Sequence, residues 1–145
     1  MARVKIDIPK GILAIIIIPI RITDINYGNH VGNDSFVGIL HEARVIWLSK
    51  HNYTELNIGN VGLIMSDIQI EFKKESFYGD IIEVQISAGE VSKIGFELYY
   101  QLFTTRNNER LLLLNAKTGM ICYDYTYKKV APIPVDFKKI LTQLV

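Results

Sequence analysis

Residues 34–50 constrain this chain more than any other stretch. Phe36, Leu40, Ala43 and Trp47 recur at spacings of three and four, with Ile39 and Ile46 beside them, the pattern of a helix with one broad apolar stripe. Val37 and Val45 add to the apolar surface, and Glu42, Arg44 and Lys50 lie opposite. Such a helix is expected to be covered on more than one side and to run through the centre of the fold. Asn33 or Asp34 is its expected cap, since either side chain can accept from an exposed N–H of the first turn.

After the helix the period changes. Residues 51–53 and 57–60 read as loop, and from Val61 onward the pattern is β. Ile68, Ile70 and Phe72 alternate with Gln69, Glu71 and Lys73, a half-buried strand. Tyr78-Gly79-Asp80 marks a turn, and Ile82, Val84 and Ile86 then alternate with Glu83, Gln85 and Ser87 before a break at Ser92-Lys93. A third strand is expected over 94–105, with a turn at Asn107-Asn108. A fourth, over 110–127, is long enough to be bent or bulged near Lys117-Thr118-Gly119. Pro132 and Pro134 end the β region, and residues 135–144 form a short C-terminal helix.

Ahead of the helix, the run from Ile12 to Ile18 is too short to cross a bilayer, which takes about 20 apolar residues. Pro19 and Arg21 close it, and no small-residue cleavage site follows. Its β-branched density reads as a buried strand over 12–23. Pro19 cannot donate to a ladder, which puts it at an edge, at a bulge or at the true start of that strand. Residues 1–10 end in the turn signal Pro9-Lys10-Gly11.

The 145 residues make one domain, residues 1–145. A formal charge of +1 offers no electrostatic footprint for nucleic acid. The single Cys122 excludes an intrachain disulfide and a multi-cysteine metal site, and fits a reducing compartment. A soluble, cytoplasmic protein with no nucleic-acid or membrane partner is expected. One strand, a long helix and four strands in succession pack most economically as a curved antiparallel sheet wrapped around the helix, an α+β hotdog fold.

Polar chemistry is concentrated just before the helix. Asp24, Asn26, His30, Asn33 and Asp34 are interleaved with Gly28 and Gly32. This is the expected active-site loop, and the rest of the chain positions it.

Three local features resemble the hotdog-fold acyl-CoA thioesterases, the broad group that includes 4-hydroxybenzoyl-CoA thioesterase. They are Arg21-Ile22-Thr23-Asp24-Ile25-Asn26 followed by His30-Val31-Gly32-Asn33 and Phe36; Glu42-Ala43-Arg44 on the helix; and Ile70-Glu71-Phe72 followed by Tyr78-Gly79-Asp80. Together they cover most of residues 20–90. The resemblance implies hydrolysis of an acyl thioester, on coenzyme A or an acyl carrier protein, to a free acid and a thiol. It implies no metal or organic cofactor. Many members carry an Asp, as nucleophile or general base, where this chain has Asn26. An amide can only donate and accept hydrogen bonds, so Asn26 would orient water or the substrate carbonyl. Acyl-carrier-protein thioesterases carry an Asn-x-His-Val-Asn-Asn pattern, of which His30-Val31 and Asn33 are present here, with Gly28 and Gly32 at the other Asn positions.

Thioester hydrolysis needs an attacking group, a stabiliser for the oxyanion and a slot for the acyl chain. His30 or Asp24 would activate water, with Glu42 as a reserve base. Backbone amides near Gly32, Asn33 and Asp34, at a helix N-terminus, would hold the oxyanion. Tyr27 joins the substrate-binding set, and Trp47, Leu63 and Met65, with Val61 and Ile64, would line an acyl tunnel. Each has a plainer reading. Asp24 can tie the loop down, Asn26 and Gly28 suit positive-φ turns, Asn33 or Asp34 can cap, and Glu42 can pair with a cation. His41 and His51 lack metal-ligand spacing and read as structural. Lys73, Lys74 and Arg106 could meet carrier phosphates or be ordinary surface cations.

Two other activities compete. Hotdog enoyl-CoA hydratases carry Asp-x-Asn-Pro-x-His; here Tyr27 replaces the Pro and His30 arrives one residue late. A non-catalytic acyl-binding module would explain Asn26. Because a hotdog protomer leaves a sheet edge and apolar surface to cover, a homodimer or homotetramer is expected, with each site built from two chains.

Overall fold

The computed structural model describes residues 2–145. Strand β1 (Ala14–Pro19) is followed by a 3-10 turn (Ile22–Asp24) and helix α1 (Asn33–Lys50). Four strands come next, β2 (Gly62–Phe72), β3 (Ile81–Val91), β4 (Gly95–Arg106) and β5 (Glu109–Asp124), then a short β6 (Lys129–Val130) and helix α2 (Val135–Ile140). The strands form one antiparallel sheet in the order β1-β3-β4-β5-β2, with β6 on β5. The order of elements is the one expected for a hotdog. Among the described residues, no helix is long and apolar enough to cross a membrane.

β1 stops at Pro19 instead of running to residue 23. Pro19 ends an edge strand, where a missing donor is tolerated. The Asp24 carboxylate then captures the Arg21 N–H at 2.8 Å and turns the chain. α2 likewise ends at Ile140, short of residue 144.

α1 buries Phe36, Ile39, Leu40, Ala43 and Trp47 of the predicted stripe, with Leu48 in addition and Ile46 only partly buried. Three expectations about it are corrected. Its cap is Gly32, and neither Asn33 nor Asp34 makes a side-chain capping bond. A Cβ on Gly32 would lie 2.6 Å from Asp34 Oδ1, so the first-turn carboxylate folds back over a bare glycine. Arg44 does not lie on a solvated face. It is 4% exposed and donates to the Tyr100 hydroxyl at 3.2 Å, which in turn stands 2.7 Å from Thr118 Oγ1. Arg44 Nε is 3.5 Å from Glu55 Oε1, and His41 Nε2 is 2.7 Å from the same oxygen. Finally, the helix crest is uncovered in the single chain: Val37, Gly38 and Val45 are exposed.

The inner sheet face presents Val84, Ile86, Leu98, Tyr100 and Leu102, all fully buried, to α1. The β4–β5 hairpin turns at Asn107 and Asn108, both with positive φ (51° and 62°), as a two-residue primed turn requires. The bulge expected near Gly119 sits on the facing strand: Ser66 of β2 is the extra residue between Met65 and Asp67. A second one places Leu113 between Leu112 and Leu114 on β5. At the far end of α1, Phe137 of α2 packs against Tyr53, Phe96 and Trp47 with ring centroids 5.2, 5.5 and 6.4 Å away. That aromatic cluster closes the core and leaves the chemistry to the opposite end.

Candidate active site

Both ends of the polar loop are tied to one turn. The Ile20 N–H donates to the Asp80 carbonyl at 3.0 Å, and the Val31 N–H donates to the Ser76 carbonyl at 2.8 Å. Between them the chain doubles back. Ile25 bridges Val31, the Asn26 N–H donates to the His30 carbonyl at 2.9 Å, and Asn29 takes φ 64°. Asn26 Oδ1 accepts the Gly28 N–H at 2.8 Å, a local turn that asparagine favours. A Cβ on Gly28 would stand 3.1 Å from His30 Nε2 and 3.2 Å from Asn26 Oδ1. The imidazole therefore lies over a bare glycine, close to the Asn26 amide.

His30 Nδ1 is 3.1 Å from the Val31 carbonyl oxygen. A carbonyl can only accept, so the proton belongs on Nδ1 and the lone pair on Nε2. Nε2 is 3.9 Å from Glu75 Oε1. Beside them is a cavity of about 250 Å³. Phe36 and Phe72, with ring centroids 5.9 Å apart, form its apolar floor. Lys73 and Lys74 contribute to its lining, and Asn33 stands at the start of α1.

The N-terminus of α1 supplies donors. The Gly32 N–H is already committed to the Asp24 carbonyl at 3.1 Å, which removes it from the expected oxyanion set. The first-turn N–H groups of Asn33, Asp34 and Ser35 have no acceptor inside the helix and, among the described residues, none outside it. They face outward from a helix of 18 residues, where the helix dipole favours negative charge.

The four expected catalytic side chains do not converge. Asn26 and His30 sit together, whereas Asp24 and Glu42 line a separate cavity of about 370 Å³ with Arg21 and Gly38. The buried Asp24 carboxylate accepts from the Arg21 N–H at 2.8 Å and from Arg21 Nη2 at 3.3 Å, so it braces the turn. Glu42 is exposed, and among the described residues no cation pairs with it.

The expected substrate-lining set divides too. Asn33 lines the His30 cavity. Asp34 is exposed beside Gly32, and Tyr27 is 103% exposed, so it lines nothing within the chain. Trp47 and Leu63 lie away from it: both are buried in the core, and Trp47, about 21 Å of helix from Asn33, borders a separate cavity with Leu13, Lys50 and His51. Met65 is half exposed and borders a different cavity with Val37, Leu40 and Ile68.

Glu75, Phe72, Ser76 and Asp80 belong to the site without having been singled out for it. Tyr78-Gly79-Asp80 was visible as a turn, but nothing in the sequence joins that turn to a loop far upstream. Asp80 is buried and accepts from Ser76 Oγ (2.8 Å), the Phe77 N–H (2.9 Å), Arg106 Nε (3.2 Å) and Arg106 Nη2 (2.9 Å). Burial by itself would raise this carboxyl; the bonds from Arg106, Phe77 and Ser76 outweigh it and hold the group below the usual carboxylate range. Its stabilising effect is present above the unfolded value of about 3.9 and is lost as pH falls through the lower folded value. Near neutrality the clamp is intact.

A family model described as the thioesterase-like superfamily matches residues 20–141. The 1,4-dihydroxy-2-naphthoyl-CoA hydrolase of Microcystis aeruginosa is 26% identical over 108 residues, covering 70% of this chain and 73% of that protein. The crystal structure of a 1,4-dihydroxy-2-naphthoyl-CoA thioesterase from Synechocystis superposes with a TM-score of 0.77 at 23% identity, covering 88% of this chain and 93% of the other. A mutant 4-hydroxybenzoyl-CoA thioesterase complexed with 4-hydroxybenzoyl-CoA gives a TM-score of 0.79 at 14% identity, covering 88% and 97%. At these identities the solved structures establish a shared fold.

Proposed function

Because the chain belongs to the thioesterase-like superfamily, we propose that it hydrolyses acyl-CoA thioesters to a free acid and coenzyme A, with His30 as the general base. One observation carries the mechanism: an imidazole with its Nδ1 proton tied to a carbonyl faces a cavity at a helix N-terminus. His30 Nε2 takes a proton from water as the water oxygen bonds to the thioester carbonyl carbon. The carbonyl oxygen becomes an oxyanion held by first-turn N–H groups of α1. As the C–O double bond re-forms, the C–S bond breaks and the leaving thiolate takes the proton back from the imidazolium. Asn26, with Oδ1 engaged by Gly28, has its amide N–H groups left to orient water or the carbonyl.

The cavity of about 250 Å³ with two phenylalanine rings as its floor suits a compact, flat acyl group better than a long chain. The curated relatives' names, with a dihydroxynaphthoyl group on coenzyme A, support an aromatic substrate. Lys73 and Lys74 suit the phosphates of the carrier. A cytoplasmic setting belongs to the same proposal and agrees with the free, buried Cys122, whose thiol burial pushes up to about 11.

A panel of aromatic and aliphatic acyl-CoAs tests the activity by release of free thiol, with aromatic members expected to turn over fastest. Turnover of a 2-enoyl-CoA without thiol release would replace hydrolysis by hydration, and binding without turnover would leave a carrier module.

The functional unit in this proposal is at least a dimer. β2 is an edge strand of 11 residues; among the described residues its free side is bonded by backbone only where the Leu63 N–H donates to the Glu55 carbonyl, and Ile64, Met65 and Phe72 are exposed on it. Unpaired edges of this length invite pairing with another strand. Phe72 also borders the His30 cavity, so a partner strand there would complete the site. Light scattering at micromolar concentration is expected to give a dimer or tetramer, and Ile64→Lys with Met65→Lys is expected to give a monomer of reduced activity. A wild-type monomer would end this part of the reading.

A further inference from the structure

The turn at residues 75–80 meets the polar loop and its flanks at three points. Its Asp80 carbonyl holds Ile20 and its Ser76 carbonyl holds Val31, the residue after the proposed base. Its Glu75 carboxylate faces His30 Nε2 at 3.9 Å. The backbone between these points cannot hold them in place by sheet pairing, because it lies between β2 and β3.

Side chains hold it instead. Asp80 takes the Phe77 N–H and the buried Ser76 hydroxyl, so the carboxylate closes the turn upon itself. Arg106, at the end of β4, grips both Asp80 oxygens, and its Nη2 also donates to the Glu75 carbonyl at 3.1 Å. The same guanidinium lies 5.0 Å from the centre of the Phe77 ring. One planar fork thus fastens both ends of the turn to the rigid sheet, a geometry that an ammonium cannot reproduce.

Resting on the thioesterase reading above, we propose that Asp80 and Arg106 are positioning residues for the reaction: through the 75–80 turn they fix His30 against Glu75 and the first turn of α1. Neither touches substrate. Loosening the clamp moves the base relative to the oxyanion donors while the acyl floor of Phe36 and Phe72 stays where it is. The effect therefore falls on the chemical step.

Arg106→Gln and Arg106→Lys, with Ser76→Ala as a gentler break in the same clamp, test this on the intact protein with the best acyl-CoA of the panel. Arg106→Gln is expected to lower kcat by about tenfold to a hundredfold, the scale of a small misplacement of catalytic groups. KM should stay within about twofold, as it does when ground-state binding is untouched. Arg106→Lys should fall between wild type and Arg106→Gln, and Ser76→Ala should lower kcat less. A raised KM with normal kcat would overturn the proposal and make Arg106 a contact for the carrier phosphates. Normal kinetics in a folded Arg106→Gln would overturn it as well.

Amide hydrogen exchange supplies a readout that needs no activity. In Arg106→Gln or Ser76→Ala, the Ile20 and Val31 N–H groups should lose protection while those of Leu40 and Leu98 keep theirs. Unchanged protection at Val31 would sink the positioning role. If no acyl-CoA is hydrolysed by the wild type but protection falls as expected, the thioesterase reading fails and the clamp stands.

Discussion

Replacing His30 by alanine is expected to lower kcat for thiol release by about 10²- to 10⁴-fold, the range for loss of a general base. The expectation rests on geometry. His30 Nδ1 is anchored on the Val31 carbonyl, so the ring can present only Nε2 to a substrate. The Val31 N–H remains bonded to Ser76 whatever side chain precedes it, so the loop should keep its path in the variant. Circular dichroism and thermal midpoint should stay close to wild type, because the imidazole is part exposed and packs on a glycine. Asp24→Asn is the control. It keeps an oxygen for the Arg21 N–H and should affect stability more than kcat. If His30→Ala kept activity within about fivefold of wild type, well short of a lost general base, the base would have to be sought elsewhere, and the unpaired Glu42 in the neighbouring cavity is where Glu42→Gln would look.

The second large effect is on stability. Trp47→Ala should cost about 3–5 kcal/mol, the usual range for removing a large aromatic from a core. Trp47 is fully buried, with its ring edge-on to Phe137 at 6.4 Å and to His51 at 6.2 Å. Phe137, Ile140 and Leu141 are buried in the same core. Trp47→Phe keeps most of the contact and removes an indole N–H that has no acceptor; it should cost less than about 1.5 kcal/mol. Urea unfolding measures both. Trp47→Phe should also leave the ranking of acyl-CoA substrates unchanged. A changed ranking would return Trp47 to the acyl tunnel where the sequence had placed it.

Periodicity reports that a residue faces inward, and it cannot tell a packed interior from a ligand cavity. Trp47 and Phe36 lie on the same apolar stripe of α1, but Phe137 of α2 packs against the first and only the second borders the His30 cavity. Arg44 failed for a related reason. A charged residue on a helix reads as solvated, and only the tertiary fold brings the Tyr100 hydroxyl, itself bonded to Thr118 across β4 and β5, to receive it. The order of strands, the central helix and the Asn107-Asn108 turn were legible because each is dictated by local pattern or backbone conformation. The loop was legible as a polar cluster before a helix. Its division into an Asn26–His30 face and an Asp24–Glu42 face was not, because that depends on a 3-10 turn and on hydrogen bonds to residues 76 and 80.

The two anchors at Ile20 and Val31 also bear on how such a protein can change. The segment between them enters and leaves at neighbouring points on a single fixed turn, so its largely exposed tip, residues 26–29, contributes little to closing the sheet or seating α1. Residues at the tip of a segment of this kind can be exchanged with small cost to folding, as for other compact surface loops whose ends lie close together. An Asn in place of a carboxylate at position 26 is then a change within a cassette, and the scaffold need not register it. New chemistry in this architecture can arise by rewriting a few tip residues while the frame that holds them, Asp24 included, is kept.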